Sequence, residues 1–323
     1  MKILVLGGTQ FVGRHFVEAA LAAGHEVTLF HRGTKGTGAI PGAEDLLGDR
    51  KTDLDKLSDR KWDAVMDSCG YFPADVRAAA EALKDRCHRY LFVSTVSVYS
   101  SDQPVDDEGS PLVEIGDPNA TEVTGQSYGY LKVLCEQALE EVFGDRATIV
   151  RPGIIAGPYD PTDRFTYWPV RFARGGRVLV PDVLKSALQI IDARDLGQFM
   201  VHLLESDQAG IFNTAGPRST FGHMIDMCRT FDPEADVFVA DPTHLQEANV
   251  QLWSDLPLSM GHGDDGLMHT NSRKAADAGL RYRPLSETAK DTLEWRFPDL
   301  ESRPLKTGLT IEREGEVLAG LTS

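Results

Sequence analysis

No segment of this chain is long and apolar enough to span a bilayer. The apolar run at its start, Ile3-Leu4-Val5-Leu6, is cut at once by Gly7, too early for the core of a secretory signal. Cysteine is scarce. Cys69, Cys87, Cys135 and Cys228 lie far apart without metal-ligand spacing, which argues against a disulfide framework or a zinc site and for free buried thiols. His202, His223, His244, His262 and His269 also lack metal spacing, so no metal is expected. Positive charge is in deficit. Lysine plus arginine number 33 against 49 aspartates plus glutamates, a net charge of −16, and no basic run is present. Such a chain repels a phosphate backbone at long range, so no nucleic-acid partner is expected. Repeats and low-complexity tracts are missing as well. These absences predict a cytoplasmic globular protein, long enough at 323 residues for one large core with an attached lobe.

What is present is an alternation of strands and helices. Ile3–Leu6 suits a strand buried on both faces, Phe16–Ala23 has helical patterning, and Gly24 suits its C-terminal cap. Val27–Phe30, Ala64–Met66, Tyr90–Val93 and Thr148–Val150 read as strands; Ala74–Leu83 and Tyr128–Val142 read as helices. The alternation predicts an α/β fold, a Rossmann doubly wound parallel sheet with right-handed crossovers and a smaller C-terminal substrate-binding lobe. The boundaries expected are residues 1–156 for the dinucleotide-binding core and 157–323 mainly for the lobe. Returning segments at about 178–215 would complete the core. Beyond Asp299 a loosely packed tail is expected.

Gly7-Gly8-Thr9-Gln10-Phe11-Val12-Gly13 follows the first strand and opens the first helix. Gly7 permits a tight turn and Gly13 close helix–strand packing, and the helix N-terminus offers amides to a pyrophosphate. Thr9, Gln10, Phe11 and Val12 complete the predicted cofactor contacts. Gln10 replaces the usual middle glycine, so its side chain would either crowd the pyrophosphate or contact it. At the end of the second strand, the acidic residue that binds the ribose hydroxyl of NAD is missing. His31 and Arg32 stand there, which favours NADP over NAD. Asp49, after Gly48, could place a carboxylate beside the adenine amino group.

Tyr128 and Lys132 are four apart on a predicted helix and project from one face. A nearby ammonium stabilises a phenolate, and such a tyrosine exchanges a proton with a substrate hydroxyl or carbonyl. Ser94, Thr95 and Ser97 put hydroxyls at the C-terminal end of a strand, where ligands bind in open α/β sheets.

Together these pieces resemble the extended short-chain dehydrogenase/reductase superfamily, in its NAD-dependent epimerase/dehydratase branch. Arg151-Pro152-Gly153, Gly157-Pro158 and Ile190–Leu196 add to the resemblance, which covers about the first 220 residues. It implies that Tyr128 is the general acid/base, that Lys132 holds the nicotinamide ribose and lowers the tyrosine pKa, and that Thr95 is the catalytic hydroxyl. Ser94 and Ser97 are alternates, and Pro152 to Ile155 would line the nicotinamide side. The implied activity is an NAD(P)-dependent oxidoreductase or epimerase acting on a hydroxyl or carbonyl carbon of a polar small molecule, such as a sugar or nucleotide sugar. Dehydratase ranks last, because Thr95-Val96-Ser97 shows no Asp-Glu pair. A homodimer through the helix bearing Tyr128 is a family-level expectation. The turn also resembles atypical members, some of which have lost redox chemistry or bind RNA. The alternative is therefore a non-catalytic NAD(P)-binding regulator or RNA-binding protein on the same fold.

On the substrate side, Ser97, Arg164, Tyr167 and Trp168 are the candidates. Arg171, Arg174 and Arg177 could bind an anion but read more simply as a solvated face.

Overall fold

The computed structural model describes residues 1–34, 36–260 and 266–321. The first half is built from β1 (Lys2–Leu6), α1 (Phe11–Ala22), β2 (Glu26–His31), β3 (Glu44–Leu47), β4 (Ala64–Asp67), α2 (Pro73–Leu83), β5 (Arg89–Val93), α3 (Tyr128–Phe143) and β6 (Ala147–Pro152). There follow β7 (Ile154–Ala156), α4 (Tyr167–Ala173), β8 (Arg177–Pro181), β9 (Ala187–Asp192), α5 (Ala193–Glu205), β10 (Gly210–Thr214), β11 (Arg218–Thr220) and α6 (Phe221–Arg229). The chain then forms β12 (Asp236–Ala240), α7 (Pro242–Glu247), β13 (Leu252–Trp253), β14 (Leu256–Pro257), α8 (Arg273–Asp277), α9 (Leu285–Arg296) and α10 (Ile311–Leu321).

Seven strands make one parallel sheet in the order β10-β6-β5-β4-β1-β2-β3. The order reverses beside β1, so the turn after β1 opens at the topological switch point. The strand cores are near-continuous apolar runs because helices cover both faces. Phe16, Val17 and Ala20 of α1 pack with Leu196, Phe199 and Met200 of α5 on one side. Val76, Ala80 and Leu83 of α2 pack with Cys135 and Leu139 of α3 on the other. The four cysteines are free thiols.

The returning segment is more divided than its sequence suggests. Helix α5 and strand β10 complete the core, but β8 pairs with β12, and β9 with β7 and β11, in two small sheets of the C-terminal lobe. Ala275 and Leu280, well beyond residue 215, pack back onto the N-terminal core.

The expectation of a loose tail is overturned. Helix α10 buries Val317 and Leu318 in the lobe's core, and Glu314 is only 1% exposed. Its carboxylate meets the buried Arg171 guanidinium at 2.5 Å and accepts the Leu179 amide at 2.8 Å. A buried charge needs such a partner, so the ion pair and the apolar face together dock the helix. Arg171 is thereby committed within the chain, and Arg177 pairs with Asp236.

Candidate active site

A cleft of about 830 Å³ lies over the C-terminal ends of β1, β4, β5 and β6. The glycine turn forms its floor. Gly7 and Gly8 have φ of 93° and 84°, in the left-handed region that favours glycine. A Cβ on Gly8 would meet Val5 at 2.7 Å, and one on Gly13 would meet the Gly8 Cα at 2.8 Å. The helix therefore approaches the turn as closely as it does only because these side chains are missing. The first amides of α1 have no partner within the helix, and Phe11, Val12 and Gly13 line the cleft. Gln10 is exposed and has extended backbone, φ −134° and ψ 146°, so its position needs no glycine.

A second cavity of about 420 Å³ adjoins the first and shares Gly7, Thr9, Gln10 and Arg32 with it. His31 and Asp49 line this one. The His31 ring is engaged: its Nε2 lies 2.7 Å from the Asp45 carboxylate, and its Nδ1 accepts the Gly33 amide. Arg32 is exposed and borders both cavities. Sequence reasoning missed the ion pair beside this cavity. The Asp67 carboxylate, fully buried at the end of β4, takes two 2.8 Å hydrogen bonds from Arg50 and one of 2.9 Å from the Tyr90 hydroxyl. Arg50 and Cys69, whose amide also donates to Asp67, line the adenosine-sized cavity. The available signal was a charged residue closing an otherwise apolar strand.

The hydroxyl group of the site stands on the end of β5 and the start of α3. The Thr95 hydroxyl oxygen accepts the Ser97 amide at 3.1 Å, which folds the chain into a short turn. Thr95, Ser97, Tyr128, Lys132, Pro152 and Ile155 all line the cleft. Burial pushes the Tyr128 phenol up; the Thr95 hydroxyl and the Arg164 charge pull it back. Lys132 lies below Tyr128 on the same helix. Its ammonium, 3% exposed, donates to the Gly70 and Val93 carbonyls at 2.8 Å each. Buried beneath the cleft, the cation satisfies itself on backbone rather than on the phenol. Burial holds its pKa below the usual lysine range. The Ser94 hydroxyl lines the same floor, is buried, and has no protein partner.

The substrate candidates divide. Arg164 lines the cleft, but Tyr167 and Trp168, 1% and 0% exposed, do not. They are core residues of the lobe. The Trp168 ring stands edge-on to Phe221 and Tyr167, and its Nε1 donates to the Pro257 carbonyl at 2.6 Å. The indole in the cleft is Trp253 of the short strand β13, which sequence reasoning passed over. Asp160, 3% exposed, lies in the same wall and accepts the Thr162 amide and hydroxyl at 2.8 and 2.7 Å. Burial raises its carboxyl above the usual range. Among the described residues no group of three potential metal ligands occurs, and His262 lies outside them.

The cradle fits a dinucleotide: glycines where Cβ atoms would collide, unpaired helix amides, and an orphaned hydroxyl beyond them. The sequence pattern of the NAD dependent epimerase/dehydratase family matches residues 3–215. The chain belongs to that family. It is 28% identical over 249 residues to the chloroplast stem-loop binding protein of 41 kDa b of Arabidopsis thaliana, covering 70% of this chain. The chain spans 62% of the length of that relative. Its fold is that of UDP-glucuronic acid 4-epimerase from Bacillus cereus, solved with NAD (TM-score 0.68, 17% identity, 96% of this chain and 100% of that one). The UDP-glucose 4-epimerase of Thermotoga maritima, solved with UDP-glucose, is as similar (TM-score 0.68, 18% identity, 93% and 100%). No helix among the described residues is long and apolar enough to cross a membrane.

Proposed function

We propose that this family member is an NAD(P)-dependent oxidoreductase or epimerase acting on a hydroxyl or carbonyl carbon of a polar small molecule. The observation behind this reading is the convergence of Tyr128, Thr95 and the glycine turn on one cleft. The nicotinamide group, when bound, supplies the hydride acceptor or donor. Thr95 and Ser97 hold the substrate oxygen by hydrogen bonds, and Tyr128 Oη gives or takes its proton. Lys132, fixed by two carbonyls, keeps a cation under the site where a ribose would rest. Arg32, exposed just past the end of β2 where an acidic residue would select NAD, favours NADP. A homodimer through α3 belongs to the same proposal.

Titration with NAD, NADH, NADP and NADPH, followed by nicotinamide fluorescence, tests the reading. NADPH is expected to bind most tightly, and Arg32→Ala to weaken it. Tyr128→Phe is expected to keep cofactor affinity and lose about 100-fold or more in turnover. Absence of binding by all four dinucleotides refutes the proposal. The similarity to a stem-loop binding protein favours one other reading, a non-catalytic or RNA-binding protein on this fold. The net charge of −16 opposes it. Salt-dependent capture of a labelled stem-loop RNA at submicromolar protein would support it instead.

A further inference from the structure

Two segments wall the outer half of the cleft, and both hold side-chain-bearing residues in left-handed backbone. Tyr159 and Asp163 have φ of 68° and 58°, and Trp253 and Leu258 have 71° and 62°. Such strain persists only where the surroundings over-determine it. Here the C-terminal segment does so. The Lys306 amide and ammonium donate to Asp163 and to the Pro161 carbonyl, and the Thr307 hydroxyl donates to the Thr162 carbonyl. One step on, the Gly308 and Leu309 amides donate to the Ser254 and Asp255 carbonyls. One strap thus fixes both walls.

The walls present three groups to the cleft. The Arg164 guanidinium lies 5.6 Å from the centroid of the Trp253 ring. The Asp160 carboxylate stands nearby with only one oxygen engaged by Thr162. The remaining wall is apolar: Met260, Leu267 and Met268. Among the described residues, the other cations of the cleft are Arg32, on the adenosine side, and Lys132, held by its two carbonyls. Arg164 therefore faces a ligand in this half with a carboxylate beside it. A single planar carboxylate matches one guanidinium fork in charge and shape. A second negative charge would sit next to Asp160 with no cation of its own, which is unfavourable. The guanidinium lies over one side of the Trp253 ring, so a ring-bearing ligand on Arg164 meets the indole edge or its other face.

Resting on the oxidoreductase reading above, we infer that the outer half of the cleft binds a cyclic hydroxy or oxo acid carrying one carboxylate. The carboxylate lies on Arg164, the ring against Trp253, and the hydroxyl or oxo group faces Tyr128. A sugar linked through a diphosphate fits this half poorly.

The test is calorimetric titration of the full chain with three probes: 3-hydroxycyclohexane-1-carboxylate, its neutral carboxamide, and UDP-glucose. The acid is expected to bind saturably, and roughly tenfold or more tighter than the amide. Arg164→Gln should abolish that preference, and Arg164→Lys should restore part of it, with the melting temperature unchanged in both. UDP-glucose should bind more weakly than the acid. Equal affinity for acid and amide, no saturation by the acid, or tighter binding of UDP-glucose overturns the inference. Cofactor binding is read separately. Its loss alone strikes the oxidoreductase reading and leaves the result on the carboxylate standing.

Discussion

Replacing Asp67 by asparagine removes the negative charge from under the dinucleotide cleft. Asp67 is 0% exposed, and its carboxylate meets the Arg50 guanidinium through two 2.8 Å hydrogen bonds. The amide would keep the shape of the carboxylate and leave the largely desolvated guanidinium, 11% exposed, without a counter-charge. Breaking a buried pair from one side costs about 3–5 kcal/mol, whereas replacing both partners by apolar residues of similar volume is often close to neutral. Asp67→Asn is therefore expected to lose about 3–5 kcal/mol in urea unfolding at about pH 7, and the double variant Asp67→Leu with Arg50→Met less than half of that. The pH dependence follows from the same contacts. Burial alone would raise the carboxyl, but Arg50, the Cys69 amide and the Tyr90 hydroxyl outweigh it and hold it below its ordinary 3.8. A depressed folded-state pKa contributes stability that is present above 3.8 and is lost as pH falls through the lower folded value. The gap between wild type and Asp67→Asn should thus be constant near neutrality and close only in strong acid. A gap under about 1 kcal/mol, or a double variant as unstable as the single one, refutes this account of the pair.

Two further outcomes are expected. Ser94→Ala removes a buried hydroxyl that has no protein partner. Thermal stability should hold or rise slightly while dinucleotide affinity falls severalfold; calorimetry checks both, and unchanged affinity would separate Ser94 from the ligand. Glu314→Ala leaves Arg171 buried and unpaired, and should destabilise by about 3–5 kcal/mol in urea. A cost near zero there would show that the apolar face of α10, not the ion pair, docks the helix.

Much of the core was legible from local pattern. Ile3–Leu6 and Tyr90–Val93 are short apolar runs, and a strand covered on both faces needs nothing else. The glycine turn was equally readable, because Gly7 and Gly13 are demanded by backbone angle and close approach. So was the shared helix face of Tyr128 and Lys132, which follows from helical period alone. Two readings failed where the deciding partner is distant. Tyr167 and Trp168 follow a Pro- and Asp-rich loop and looked like cleft residues. Phe221 and Pro257, far along the chain, make them core. The tail looked loose, yet its buried Glu314 pairs with Arg171, 143 residues away.

The sequence by itself determined the layered α/β architecture, the glycine turn after β1 and the placing of hydroxyl-bearing residues at the end of β5 and the start of α3. Each of these depends on residues within a few positions of one another, where bond geometry and periodicity decide. Only the tertiary structure decided which aromatic faces the cleft, which arginine lines it, and how the C-terminal segment is docked. Those outcomes depend on desolvation and charge pairing between residues far apart in the chain, and burial is a property of the folded packing rather than of any one residue.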